Sequence, residues 1–399
     1  WDHFAKNGGT ENGDDGSLAC DHFHRFEEDL DLLVDAGFDA YRFSFSWSRL
    51  FPDGKNLNIE GLDFYKQLLD AINSRGLRPF GTAYHWDMPQ ALGQLGGWTV
   101  RENAERFGDY MGFIARTFGD GLENLVSINE PWCVAWLSHY LGEHAPGLKD
   151  LNSAASANHF VCLGHGLGVQ AARAETAKPI GIVLNFTPGR VENRSDSDIT
   201  ALERYEAVTN TWYLSAVTKG KYPHAALSEL EPLLPRNWQR DMDIIRAPID
   251  FIGINYYTTQ MLKAGGQDFP YVEIVDRNLP KTDMGWEIEP KGLADAINLV
   301  SQYAPDMPLY ITENGMASEK SISDPDRIKY YQDHLNVVAK VAQTLPIKGY
   351  FAWSLLDNFE WAFGYKKRFG LVYVDYETQQ RTKKDSFKWW QSELVRSLA

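Results

Sequence analysis

Two rhythms of apolar and polar residues take turns along this chain. In one, apolar positions recur at helical spacing among charged ones. It predicts a helix over Cys20–Ala36, where Phe23, Phe26, Leu30 and Leu33 form the stripe and Gly37 is the stop, and another over Gly61–Arg75, ended at Gly76. Arg101–Phe118, Ser153–Thr176 with its face of small residues, Asp198–Lys219, Pro290–Tyr303, Asp324–Gln343 and Asp385–Ser397 follow the same rule. In the other rhythm, short runs rich in β-branched and aromatic residues predict strands. These runs are Ala40–Phe45, Arg78–Tyr84, Asn124–Ile128, Pro179–Leu184, Ile249–Ile254, the stretch opening at Leu309, and Ile347–Ala352. Residues 1–18, polar and rich in Gly, Asn and Asp, read as a loop.

Strand and helix alternate with no linker, low-complexity run or short repeat, the pattern of parallel βα units in one domain spanning residues 1–399. Polar and aromatic residues gather at the strand tips: Arg42, His85, Glu130, Asn255, Tyr257, Glu313 and Trp353. An open doubly wound sheet would carry a Gly-rich phosphate turn after an early strand, and none is present. The expected fold is therefore an α/β (β/α)8 TIM barrel, which presents its chemistry at the C-terminal ends of its strands. Only seven strands can be counted, those near residues 42, 80, 126, 182, 252, 310 and 350. The strand that would complete the eight is expected upstream of Trp1, in a segment outside these residues; the alternatives are that another segment or another chain, as in a homo-oligomer, supplies it, or that it is naturally absent and the barrel is open and inactive.

Composition narrows the partners. The chain is 44% hydrophobic and 23% charged, an ordinary globular balance. Its net charge of −15 argues against nucleic acid and anionic membranes and favours a neutral or cationic small substrate. There is no apolar run long enough to cross a membrane. Cys20, Cys133 and Cys162 make a sparse, odd set, which fits a reducing, cytoplasmic setting better than a disulfide framework. Cys20, His22 and His24 resemble metal ligands only superficially, since at helical spacing His22 leaves the face that Cys20 and His24 share. His159 and His165 read as packing groups, and nothing calls for a cofactor. Thirteen tryptophans supply apolar platforms of the kind that sugar rings lie against.

The chemistry concentrates in two places. Leu309-Tyr310-Ile311-Thr312-Glu313-Asn314-Gly315 reads as a buried strand that delivers a carboxylate to its tip and turns sharply at the glycine. Asn124–Ile128 runs out into Asn129-Glu130-Pro131, where the proline fixes the direction in which Glu130 leaves. Two carboxylates on separate strand tips suit acid–base and nucleophilic work on a glycosidic bond. Asn129 and Asn314 beside them offer amides that hold a sugar hydroxyl without adding charge.

Asn129-Glu130-Pro131 together with Ile311-Thr312-Glu313-Asn314-Gly315 resembles glycoside hydrolase family 1, the retaining β-glucosidases and their relatives. Tyr41-Arg42-Phe43-Ser44, Tyr84-His85-Trp86-Asp87, His144-Ala145-Pro146-Gly147, Gly253-Ile254-Asn255-Tyr256-Tyr257, Met284-Gly285-Trp286-Glu287 and the run Trp353 to Trp361 resemble further signatures of that family, in its order and over essentially the whole chain. The resemblance implies a retaining β-glycosidase that removes terminal β-D-glucosyl residues from β-glucosides and cello-oligosaccharides. Glu313 would be the nucleophile and Glu130 the acid/base, roughly 5–5.5 Å apart. Arg42 and Tyr257 would lie beside Glu313 and favour its ionised form, while Glu130 would be held protonated. Asn129 would bind the 2-hydroxyl. His85, Asn255, Trp353, Glu360 and Trp361 would make up the substrate site with Tyr257, and Trp132 and Trp286 would flank the aglycone.

The resemblance also separates relatives. A carboxylate at Glu360 repels the dianion of a 6-phosphoglycoside, and Glu130 stands where the plant thioglucosidases carry Gln. The chain departs from the family pattern at its start, where a strand and a Gln-x-Glu-Gly segment are absent, and in the loop Met316 to Asp324, which is shorter than is typical. Two other activities fit the same motifs: a non-catalytic sugar-binding protein of this fold, and a transglycosylase.

Overall fold

The computed structural model describes residues 1–319 and 322–398, with side chains as far as Leu394; Lys320 and Ser321, within the loop Met316 to Asp324, lie outside the described residues. Seven parallel strands form one sheet: β1 (Ala40–Ser44), β2 (Arg78–Tyr84), β3 (Asn124–Asn129), β4 (Ile180–Phe186), β5 (Phe251–Tyr256), β6 (Leu309–Asn314) and β7 (Ile347–Ala352). Their order in the sheet is their order in the chain, and every neighbouring pair is parallel. Such a progression curls a sheet toward closure and puts the C-terminal end of every strand on one face. The fold is that of a TIM barrel, and the seven strands match those read from the sequence.

Helices cross between the strands: α1 (His22–Ala36), α2 (Ile59–Ser74), α3 (Arg101–Phe118), α4 (Leu151–Glu175), α5 (Asp196–Glu206), α6 (Trp212–Lys219), α7 (Pro290–Tyr303), α8 (Pro325–Val341) and α9 (Asp385–Leu398). Local chemistry sets their ends. The Asn58, Asp150 and Ser195 side chains accept from backbone N–H groups of the first turns of α2, α4 and α5. Pro290 and Pro325 open α7 and α8, where a missing N–H costs nothing. Gly37 closes α1 in the left-handed conformation, φ 84°. On α4, a Cβ at Gly166 would fall 2.1 Å from the Ile244 carbonyl oxygen, which accounts for part of that helix's small-residue face.

Three expectations need correction. Residues 1–18 contain a helical turn at Asp2–Lys6 and a tighter one at Glu11–Gly13. The first long helix starts at His22 rather than Cys20, because Asp21 sits in the left-handed region at φ 49°. His22 and His24 are engaged by Asp29 and Asp21, at 2.8 and 2.6 Å. The helix expected over Asp198–Lys219 is interrupted at Ala207–Thr211 by a turn of wider pitch.

The inner strands β2, β3 and β5 are buried along almost their whole length, whereas β1 and β7 are half-buried. These two are the ends of the sheet. A cavity of about 380 Å³ lies between them, lined by Tyr41, Arg42 and Phe43 on one side and Tyr350, Phe351 and Trp353 on the other. Outside this seam the chain is clasped. Arg381 donates from Nε to Asp29 of α1 at 2.9 Å and from Nη2 to the Cys20 carbonyl, and His22 joins Asp29 to the Tyr41 hydroxyl.

Candidate active site

The site is assembled at the C-terminal ends of β1, β3, β5 and β6. Arg42, in the middle of β1, turns its guanidinium inward. Its Nη1 donates to Glu313 Oε1 at 2.7 Å, and its Nη2 donates to Asn129 Oδ1 at 2.6 Å. Glu313, near the end of β6, accepts a second hydrogen bond on Oε2, from the Tyr257 hydroxyl at 2.7 Å. Both members of the Arg42–Glu313 ion pair are buried. Each carboxylate oxygen of Glu313 is therefore fixed by its own donor, one of them cationic.

Asn255, near the end of β5, ties this pair to the other carboxyl group. Its Nδ2 donates to Asn129 Oδ1 at 3.1 Å and to Glu130 Oε1 at 2.7 Å, while its Oδ1 accepts from the Thr312 hydroxyl at 2.7 Å. Glu130 follows directly on β3 with φ 49°, a conformation that side-chain-bearing residues seldom adopt. It swings the carboxyl toward Glu313 just as the strand ends. Burial, and then the charge of Glu313, push the Glu130 carboxyl up to about 8. The two carboxyl groups thus stand in opposite surroundings: one salt-bridged and doubly hydrogen-bonded, the other desolvated and facing a like charge.

A cavity of about 460 Å³ opens above them. Glu130, Glu313, Asn255 and Tyr257 form its base, and His85, Trp353, Glu360 and Trp361 one end. At that end the His85 ring stacks 5.9 Å from both Trp353 and Trp361. His85 is kept neutral by burial and by the Arg42 cation. Glu360 is pushed up to about 8 by burial and by the charges of Glu313 and Glu130. Trp132 and Trp286 line the remaining wall. Asn129 and Arg42 stand behind this lining, in contact with the residues that make it. The Asn129 Nδ2 faces His85 Nε2 at 3.2 Å.

Asn314 is not brought to the site. Its Nδ2 donates to the Tyr256 carbonyl oxygen and faces the Tyr330 hydroxyl, its Oδ1 accepts from Tyr350, and its side chain is buried away from the cavity. The sequence motifs did not single out several residues that do line the cavity. Trp136, Tyr140 and Phe269 form an apolar flank beside Trp132, and Cys133 contacts Glu130 directly. Trp86, within the Tyr84–Asp87 motif, donates from Nε1 to the Asn129 carbonyl oxygen and packs on Trp361. Position three after Glu130 was the available signal for Cys133, since a turn leaving β3 brings that residue back over the carboxyl group.

The family model for glycosyl hydrolase family 1 matches residues 1–397. The chain belongs to glycosyl hydrolase family 1. Beta-glucosidase A of Thermotoga maritima is 42% identical to it over 98% of this chain and 90% of that protein. The bifunctional beta-D-glucosidase/beta-D-fucosidase of Bifidobacterium breve is also 42% identical, over 98% of this chain and 91% of that protein. Among solved structures, the family 1 β-glucosidase from Thermotoga maritima superposes with a TM-score of 0.95 at 41% identity, covering 99% of this chain and 91% of its own. Its complex with isofagomine lactam gives the same TM-score at 40% identity, with 99% and 92% covered. This family 1 member is accordingly a glycosidase by fold and by sequence.

Proposed function

We propose that this chain is a retaining β-glucosidase that releases terminal β-D-glucosyl residues from β-glucosides and cello-oligosaccharides. Glu313 is the nucleophile and Glu130 the acid/base. The observation that carries this is the unlike environment of the two buried carboxyl groups: Glu313 held by Arg42 and Tyr257, and Glu130 pushed up to about 8 by burial and by Glu313. Its relatives from Thermotoga maritima and Bifidobacterium breve, a β-glucosidase and a β-D-glucosidase/β-D-fucosidase, support glucose as the sugar.

The reaction then runs in two halves. Glu130, protonated near neutral pH, gives its proton to the glycosidic oxygen as Glu313 attacks the anomeric carbon. The C–O bond to the aglycone breaks and an ester to Glu313 forms. Esterification removes the Glu313 charge, which adds to burial in raising the Glu130 carboxyl, so Glu130 becomes a more acidic group and a competent base for water. Water takes the ester's place from the side the aglycone left, and configuration is retained. His85, Trp353, Glu360 and Trp361 hold the departing sugar, Asn129 its 2-hydroxyl, and Trp132 and Trp286 flank the aglycone. Residues 1–399 act here as one catalytic domain. The three buried cysteines, free of disulfides, fit a reducing, cytoplasmic setting.

Replacing the nucleophile tests this. Glu313→Ala should lose several orders of magnitude in turnover of an aryl β-glucoside, and added azide should restore part of it by attacking from the vacated side. Undiminished hydrolysis by that variant would remove the assignment.

A further inference from the structure

The acid/base role proposed for Glu130 leaves one question of placement: which oxygen carries the proton, and what holds it there. Among the described residues, the hydrogen-bond partners of the Glu130 carboxyl are Asn255 and Cys133. Asn255 donates to Oε1 at 2.7 Å. That amide nitrogen has only hydrogens to offer, so Oε1 is obliged to accept and the acidic proton belongs on Oε2. Oε2 faces Cys133 Sγ at 3.2 Å.

The placement of the thiol is structural. Cys133 opens the wide turn Cys133–Leu137, and its backbone N–H donates to the Glu130 carbonyl oxygen at 3.0 Å. This folds the side chain back over the carboxyl group on the cavity wall. Burial, then the charge of Glu130, holds the group as a thiol rather than a thiolate. The other titratable groups around Glu130 are Glu313 on β6, Arg42 on β1, Tyr257 after β5, Glu360 after β7 and His85 after β2. Arg42 and Tyr257 are committed to Glu313, and His85 faces Asn129.

A thiol is a weak donor and a weak acceptor at once. We propose that Cys133 is a positioning residue for the acid/base, accepting from the Oε2 hydroxyl when Glu130 is an acid and donating its S–H to the same oxygen when Glu130 is a base. The carboxyl group keeps one orientation through both half-reactions, and because sulfur binds the proton weakly, its release to the glycosidic oxygen is little opposed. A hydroxyl at this position would grip the proton harder, and a methyl would leave Oε2 unpartnered in the ionised state. The inference rests on the β-glucosidase reading given above.

The test uses Cys133→Ala and Cys133→Ser with two substrates. A dinitrophenyl β-glucoside needs no acid assistance, so its kcat reports the base-assisted second half. A phenyl β-glucoside needs the acid, so the alkaline limb of its kcat/KM reports Glu130. In Cys133→Ala, kcat for the first should fall about threefold or more, and the alkaline limb for the second should move up by about half a pH unit. Cys133→Ser should restore both toward the wild type. A Cys133→Ala enzyme with both readouts unchanged overturns the proposal, as does a Ser variant displaced as far as the Ala variant. The wild-type protein supplies an independent readout: its infrared S–H stretch should move to lower frequency as Glu130 ionises, and not in Glu130→Gln. A band that ignores Glu130 likewise overturns it. Absence of turnover by the wild type on either glycoside would refute the β-glucosidase reading itself, which is distinguishable from a wild type that is active and indifferent to Cys133.

Discussion

Arg42 reaches from the first strand of the sheet to Glu313 on the sixth, Nη1 to Oε1 at 2.7 Å, while its second nitrogen holds Asn129 Oδ1. One planar group thereby sets the spacing of two functional side chains. A lysine keeps the charge but has no fork. Arg42→Lys should lower kcat/KM for an aryl β-glucoside by about a hundredfold. Steady-state kinetics at one pH suffices, and a loss below threefold would show that charge alone matters.

Glu130 and Glu360 make stability fall as pH rises. Both are pushed up to about 8 from an ordinary value of 4.5, so the folded chain binds more protons than the unfolded chain between those limits. Stability is then lost across that window and is unaffected below it. Glu130→Gln keeps an acceptor for Asn255 and removes the buried charge. Its melting temperature should exceed that of the wild type at pH 9 by about 2 °C or more and equal it below pH 4.5. Differential scanning calorimetry at the two pH values checks this.

Gly315 is fixed by its neighbour rather than by its backbone angle. A Cβ there would lie 1.9 Å from the Trp353 carbonyl oxygen, which is backbone and cannot swing aside. Gly315→Ala should separate β6 from the end of β7, carrying Glu313 out of register with Arg42. The expected cost is about 2–4 kcal/mol in denaturant unfolding, with turnover falling further than stability. An alanine variant of native activity would show that the tip of β6 yields easily.

The far flank of the cavity is an aromatic wall against which a leaving group can pack. Trp136 stacks on Phe269 at a ring separation of 5.7 Å, and Tyr140 closes on its edge. Truncating Trp136 to Ala should raise KM for aryl β-glucosides about tenfold with little change in kcat, because the ring is held alike in ground and transition states. Equal effects on aryl glucosides and cellobiose would show that this flank does not discriminate.

The barrel strands were legible because each is a short β-branched or aromatic run flanked by turn residues, and the carboxylates because they sit at strand tips. The parity of the strands was harder to read. Asn129 and Asn314 look equivalent beside their glutamates, yet neighbouring residues of a strand face opposite ways. Asn314 comes after Glu313 and so faces the outer helices. Asn129 and Glu130 both serve the site only because Glu130 leaves the strand with φ 49°. A register shift between β5 and β6, where Ile254 pairs with Ile311 but Asn255 with Glu313, brings Thr312 to the same network. The five short strands of the two small sheets, Gly189–Val191, Gln260–Ala264, Val272–Val275, Val372–Val374 and Arg381–Lys383, escaped notice because pairing, rather than an alternating pattern, defines them. The wide turns at Cys133–Leu137 and Ala207–Thr211 carry no mark that separates them from ordinary helix.

The seam between β1 and β7 shares a wall with the Trp353 and Trp361 end of the cavity: Arg42, His85 and Trp353 line the seam, and two of them line the cavity too. His85 and Trp353 are thus packed from the seam side as well, so the shape the cavity presents is set partly by side chains that never reach it.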